Sequence, residues 1–217
     1  MYEQEAYQGD FYYRANPALS YIRILHASPD APPVDIYANG NILARGLAYR
    51  GFTPYMPIAQ GEYTLTLFPA GQTGRPILST RVDIPAGRIQ TIAAINRLED
   101  IALYTVPDPS MTMDPLKAFL RFVHLSPNTP AVDITLPDGT RIFRNVGYKG
   151  VTHYIPVDGG TYTLEARTAG TENVILHVPN IHLRPGRAYS VYAVGLLRGN
   201  PPLQVLIPLD GSSYIKF

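Results

Sequence analysis

Tyr21-Ile22-Arg23-Ile24-Leu25-His26-Ala27-Ser28-Pro29 returns 98 residues later as Phe119-Leu120-Arg121-Phe122-Val123-His124-Leu125-Ser126-Pro127. At the same offset Val34-Asp35-Ile36 becomes Val132-Asp133-Ile134. One inserted residue then moves the offset to 99, where Tyr49, Gly51, Thr53, Tyr55 and Pro57 recur as Tyr148, Gly150, Thr152, Tyr154 and Pro156. Gly61, Tyr63, Thr64 and Leu65 recur as Gly160, Tyr162, Thr163 and Leu164. The chain is a tandem duplication. Its period is too long for a solenoid repeat and suits a complete domain.

Each copy reads as short strands punctuated by turn residues. Tyr21–His26 and Val34–Ala38 alternate, and Ile42–Leu47 follows a turn at Asn39-Gly40. Phe52–Ile58 leads through Gln60-Gly61 into Glu62–Phe68; Ile77–Ile84, Ile89–Ile95 and Ile101–Val106 complete the copy. Seven or eight strands at that spacing predict a β-sandwich. Ile89–Ile95 is almost wholly apolar, which predicts a central strand, with Ala188–Val194 its counterpart. The chain therefore divides into an aromatic N-terminal arm (1–18), a first sandwich (19–107), a linker (108–117) and a second sandwich (118–217).

Composition agrees with this all-β reading. Of 217 residues, 21 are Pro and 18 are Gly, spread along the chain, a density that opposes long helices. Lys and Arg number 18 against 17 Asp and Glu, leaving a net charge of +1 and no electrostatic footprint for nucleic acid. No stretch is long and apolar enough for a membrane-spanning helix, so no membrane insertion is expected. Cysteine is absent, which removes disulfides and thiolate chemistry.

The candidate chemistry lies in a few repeated polar residues. His26 with Asp35, and His124 with Asp133, stand at matching places in the two copies. A metal site or an oriented general base would use such a pair. No nucleophile recurs beside either pair, and Asp30 becomes Asn128 in the second copy. The expectation is a structural hydrogen bond from each imidazole to its Asp or to backbone across the Ser-Pro turn, with no metal and no cofactor. Ser28 and Ser126 precede prolines as turn residues do. His153, His177 and His182 occur in the second copy alone and match no zinc spacing. Asp138-Gly139 and Asp210-Gly211 read as simple turns.

Tyr49, Tyr55 and Tyr63 recur between the copies, as core and corner tyrosines do, although exposed tyrosines also serve sugars and interfaces. Tyr2, Tyr7, Phe11, Tyr12 and Tyr13 crowd the arm outside both repeats. They predict an assembly arm that adds a strand to a neighbouring sheet edge, or else a segment packed along its own domain.

His26-Ala27-Ser28-Pro29-Asp30-Ala31-Pro32-Pro33-Val34-Asp35-Ile36-Tyr37, with Tyr49, Gly61-Glu62-Tyr63 and Pro85-Ala86-Gly87, resembles the bacterial repeat family known as domain of unknown function 4397. The resemblance covers residues 20–107 and 118–209; the second copy departs from it with Asn128-Thr129 and Thr135. It implies an immunoglobulin-like or transthyretin-like sandwich in cell-envelope or secreted proteins, and it implies no activity. Met1–Asp10 has neither a basic nor an apolar leader region, so the expected route to a surface is deposition on a spore by its mother cell, or a processed mature form. The expected function is a non-enzymatic structural or assembly protein of a bacterial envelope or spore surface, partnered by itself or by other envelope proteins. A glycan- or protein-binding adhesion module is the alternative, and a hydrolase a third.

Overall fold

The computed structural model describes residues 19–109 and 111–215; the five aromatics of the predicted arm lie outside them. The first copy contains β1 (Leu19–His26), β2 (Val34–Ala38), β3 (Asn41–Leu47), β4 (Met56–Ala59), β5 (Gly61–Pro69), β6 (Leu78–Ile84), β7 (Ile89–Ile95) and β8 (Ala102–Asp108). The second contains β9 (Lys117–His124), β10 (Val132–Thr135), β11 (Arg141–Val146), β12 (Ile155–Asp158), β13 (Gly160–Thr168), β14 (Val174–Leu183), β15 (Ala188–Val194) and β16 (Gln204–Leu206). Helix among the described residues is confined to two 3-10 turns, Leu98–Asp100 and Gly211–Ser213.

Each copy is a β-sandwich of two four-stranded sheets. The first has sheets β3-β2-β5-β6 and β4-β1-β7-β8, and the second has β11-β10-β13-β14 and β12-β9-β15-β16. β1 and β7 run parallel in register Tyr21↔Ile89, as do β9 and β15 at Phe119↔Ala188; the other strand pairs are antiparallel. The β2–β3 hairpin turns on Asn39-Gly40, with φ of 47° and 80°, the pair of positive angles that matches strand twist and that Asn-Gly accepts at little cost. The predicted strand Phe52–Ile58 forms only as β4. Ahead of it the Thr53 hydroxyl accepts the Ile24 amide (2.9 Å), Thr53 N–H donates to the Ile24 carbonyl (3.0 Å), and Pro54 has no N–H to extend a ladder.

The core of the first sandwich gathers Ile22, Ile24, Val34, Ile36, Leu65, Leu67 and Ile92 between its two sheets, and Leu120, Phe122, Ile134, Leu164 and Val191 do the same in the second. A third apolar cluster joins them. Leu25, Ala27, Ala93, Ile95 and Val106 of the first copy meet Val123, Leu125, Tyr192 and Val194 of the second. Sheet β4-β1-β7-β8 is thus covered on both faces and packs face to face against β12-β9-β15-β16, giving four stacked layers. This explains why every residue of β7 is buried, and why nearly all of β1, β9 and β15 is. The matching positions Leu25 and Val123, Ala27 and Leu125, and Ile95 and Val194 all sit in this cluster, so the two copies meet through equivalent surfaces. One pair is unequal: Ala93 leaves room for Tyr192, whose ring lies 5.8 Å from Phe52.

Candidate functional site

The structure does not bring each histidine to its aspartate. His26 is fully buried and its Nε2 lies 3.0 Å from the Pro32 carbonyl; His124 repeats this with Pro130 at 3.2 Å. These bonds cross the Ser-Pro turn, so each imidazole is held by backbone. Of the two expected partners, backbone across the Ser-Pro turn is the one found, and the direct bond from each imidazole to its Asp is not. Burial pushes both imidazoles down from their ordinary range, which the carbonyl contacts only partly offset.

Asp35 and Asp133 do different work. Asp35 accepts the amides of Gly46 (2.7 Å) and Gly71 (2.9 Å), tying β2 to the bulged β3 and to the loop after β5. Asp133 accepts Asn145 N (2.7 Å), Gly170 N (3.1 Å) and Arg141 Nε (3.1 Å). The Gly71 and Gly46 amides hold the Asp35 carboxyl below the usual range. At Asp133 burial pushes upward, and the Asn145 and Gly170 amides with Arg141 more than offset it. Each Asp is a loop anchor on the outer side of its sheet. Ser126 donates to the Gly195 carbonyl (2.7 Å) and pairs with Thr129, while Ser28 is buried. His177 and His182 lie along β14, where His177 contacts Glu165 (3.3 Å) and His182 contacts Thr161 (2.8 Å). Among the described residues no group of three or more His, Cys, Asp or Glu is placed to hold a metal.

A larger polar assembly lies where the two sandwiches meet. Arg23 stands on β1 with its face toward the second copy. Its Nε donates to Thr91 Oγ1 across the strand pair (2.8 Å), its Nη1 to the Leu209 carbonyl (2.9 Å), and its Nη2 to Asp210 Oδ1 (2.7 Å). Arg121 repeats the pattern from the second copy: Nε to Ser190 Oγ (2.6 Å), Nη1 to the Pro107 carbonyl (2.6 Å), Nη2 to Asp108 Oδ1 (2.5 Å). Arg23 therefore grips the segment following the last strand of the second sandwich, and Arg121 the last two residues of the final strand of the first.

Two tyrosines complete the arrangement. Tyr55 donates its hydroxyl to Asp108, and Tyr154 donates to Asp210 Oδ2 (2.6 Å). The guanidinium carbons of Arg23 and Arg121 each stand 4.6 Å over the Tyr55 and Tyr154 rings respectively. Two cations face two carboxylates, and the side chains are at most 4% exposed. Burial, then the neighbouring Asp108, pushes the Asp210 carboxyl up, countered by Arg121 and Arg23. Burial likewise lifts the hydroxyls of Tyr55, Tyr154 and Tyr192. Each nitrogen of the two guanidinium forks has an acceptor, so the assembly binds the domains to one another.

Sequence reasoning passed over these residues. The available signal was Arg23 and Arg121 at matching places inside otherwise apolar strands. Asp210, read as part of an ordinary turn, is wholly buried, and Asp108, read as the start of the linker, is the last residue of β8. Further bonds cross the junction at its rim: Tyr104 hydroxyl to the Lys149 carbonyl (2.6 Å), Arg50 Nη1 to Gln204 Oε1 (2.9 Å), and Tyr148 hydroxyl to Asn96.

The family model described as Domain of unknown function (DUF4397) matches the chain twice, over residues 20–135 and 136–213. No curated protein matches. Among solved structures, "The Bacillus anthracis TIE protein" is 12% identical over 82% of this chain, with a TM-score of 0.26; the chain covers about a third (34%) of that protein's length. A family 26 carbohydrate-binding module of Eubacterium rectale Amy13K, in complex with maltoheptaose, is 10% identical over 88% of this chain and 99% of its own, with a TM-score of 0.29. A structure titled "Alpha-glucan binding by a streptococcal virulence factor" is 12% identical over 91% of this chain and 100% of its own, with a TM-score of 0.24.

Proposed function

The chain belongs to the DUF4397 family, and we propose that it is a non-catalytic structural module of a bacterial cell or spore surface. One observation carries this reading. The richest gathering of acid, base and hydroxyl groups among the described residues, around Arg23, Asp108, Arg121 and Asp210, is sealed between the sandwiches and satisfied internally. It stiffens a two-domain unit by joining the domains through equivalent surfaces, which is what a load-carrying or display module needs. Immunogold labelling of the native bacterium and its spores tests the placement: label on the envelope or spore surface is expected, and label confined to the cytosol would overturn it.

In this reading the arm, with Tyr2, Tyr7, Phe11, Tyr12 and Tyr13, links copies by adding a strand to a neighbour's sheet edge. Light scattering on the full chain and on a chain lacking residues 1–18 tests this. The full chain should form larger species that the truncation abolishes; two monomers would remove the arm from the account. A binding role within the same surface module is favoured by a separate observation, an aromatic pair on the outer face of the first sandwich, where Tyr37 and Phe68 lie 5.6 Å apart.

A further inference from the structure

The outer faces of the two sandwiches occupy the same place in the duplicated fold and differ in chemistry. In the first, a lateral row crosses all four strands: Ile42 on β3 is opposite Tyr37 on β2, Tyr37 is opposite Thr66 on β5, and Thr66 is opposite Ser79 on β6. In the second, the identical register reads Arg141, Thr135, Glu165 and His177. Beside the row, Phe68 pairs with Asp35 where Arg167 pairs with Asp133.

On the second face the charged side chains pair with one another, while the buried Thr135 hydroxyl has no partner among the described residues. Arg167 Nη2 bonds Glu165 (2.7 Å), Arg141 bonds both Glu172 (2.7 Å) and Asp133, and His177 meets Glu165. The first row has no charged side chain. Ile42 is 40% exposed, and the half-buried Tyr37 and Phe68 rings meet edge to face at 86°. The Tyr37 hydroxyl has no protein hydrogen-bond partner among the described residues. Thr66 and Ser79 hydroxyls, 3.1 Å apart, continue the row to the sheet edge. Asp35, beside the row, keeps its charge but is only 4% exposed, its carboxylate accepting the Gly46 and Gly71 amides.

We propose that this row is a binding platform for a neutral oligosaccharide, with Tyr37 and Phe68 supplying apolar contact and the Tyr37, Thr66 and Ser79 hydroxyls the polar contacts. The proposal gives the surface module of the preceding section a ligand class. Three strand spacings make the row roughly 14 Å long, and two residues along the strands make it about 7 Å wide. The patch is on the order of 100 Å², far below the roughly 800 Å² per partner of a stable protein interface. It is long enough for a short stretch of saccharide chain, whose rings offer an apolar face and an edge of hydroxyls. A ligand of that mixed character suits a row that changes from aliphatic to aromatic to hydroxyl while carrying no charge of its own.

Native gel electrophoresis of the full chain in gels containing amylopectin or hydroxyethyl cellulose tests this, each migration being compared with a gel lacking polysaccharide. The wild-type chain should be retarded by one of the two glucans, α- or β-linked. Tyr37→Thr with Phe68→Arg, the residues that the second copy carries at these places, should weaken retention at least about tenfold (about 1.4 kcal/mol). Tyr37→Thr alone serves if the double variant melts early, and Glu165→Thr on the opposite face should leave retention unchanged. Absence of retention in both glucans, or equal retention by the Tyr37 variants, would overturn the proposal. A Tyr37 variant that alters mass in solution while leaving retention intact would overturn it also, and would mark the face as a protein interface. Surface labelling is a separate readout, so failure here leaves the placement at the surface standing.

Discussion

Replacing Arg23 with Met keeps much of the stem and removes the guanidinium that reaches the second sandwich. Four hydrogen-bonding groups lose their donor or partner: Thr91, the Leu209 carbonyl, Asp210 and, at 3.4 Å, Tyr192. Asp210 stays fully buried with its Ser190 and Tyr154 donors, and its nearest remaining cation is Arg121 Nε at 4.0 Å. Two carboxylates then share one arginine. Removing one member of a buried pair costs about 3–5 kcal/mol. The surviving donors place Arg23→Met at the lower end, about 3 kcal/mol, a fall in melting temperature of roughly 10 °C for a chain of this size. Asp210→Asn should cost less, because burial and Asp108 already disfavour the Asp210 charge. The double variant restores charge balance, so its cost should fall below the sum of the singles by at least about 1 kcal/mol. Urea titrations of the four proteins measure this cycle. The Arg23→Met deficit should also narrow toward acidic pH, where the unpaired carboxyl is neutralised. Additive single effects, each under about 1 kcal/mol as at exposed ion pairs, would refute the clamp.

Three further outcomes follow from the geometry. Burial lowers the folded pKa of His26 and His124, while the unfolded chain takes up protons below about 6.5, so stability present above that pH is lost as pH falls through it, by up to about 1.4 kcal/mol per unit for each histidine; equal urea midpoints at pH 7.5 and 5.0 would contradict this. A Cβ on Gly51 would lie 2.8 Å from the Ala48 carbonyl oxygen, and one on Gly150 would lie 2.7 Å from that of Gly147, so Gly51→Ala and Gly150→Ala should each cost about 1–3 kcal/mol by thermal melting, and unchanged melts would count against it. Leu25→Ala, in the cluster shared by the sandwiches, should cost about 2–5 kcal/mol and lower hydrogen-exchange protection in β15 as well as β7; protection lost in the first sandwich alone would mean that the domains are energetically separate.

The strands were legible because their signals are local. β2, β7 and β15 end where alternation or apolar runs end, and Asn39-Gly40 sets its own turn. The misreadings share a cause. Alternation along β1 is a local signal and carries no information about a second sheet, which leaves Arg23 and Leu25, on the face turned from their own core, 3% and 0% exposed. The histidines and aspartates were paired because both recur at matching places. Recurrence fixes equivalent environments, not mutual contact, and backbone groups of nearby turns reach these side chains first.

The junction also explains which duplicated residues stayed alike and which diverged within this chain. A surface that meets its own duplicate must complement itself, so a charge on one copy needs its opposite elsewhere on the same unit. Arg23 and Asp108 satisfy that condition in the first sandwich, and Arg121 and Asp210 in the second, each cation engaging the other unit's carboxylate. The outer sheets face no duplicate. There Tyr37 and Phe68 stand opposite Thr135 and Arg167 in the fold's internal correspondence, although the strands beneath keep the same register. The self-matching face constrains both copies together; the outer faces are constrained singly, which leaves one free to bear an ionic lattice and the other an apolar row. Any ligand of the first outer face should therefore ignore the second, and the Glu165→Thr control reads out that asymmetry directly.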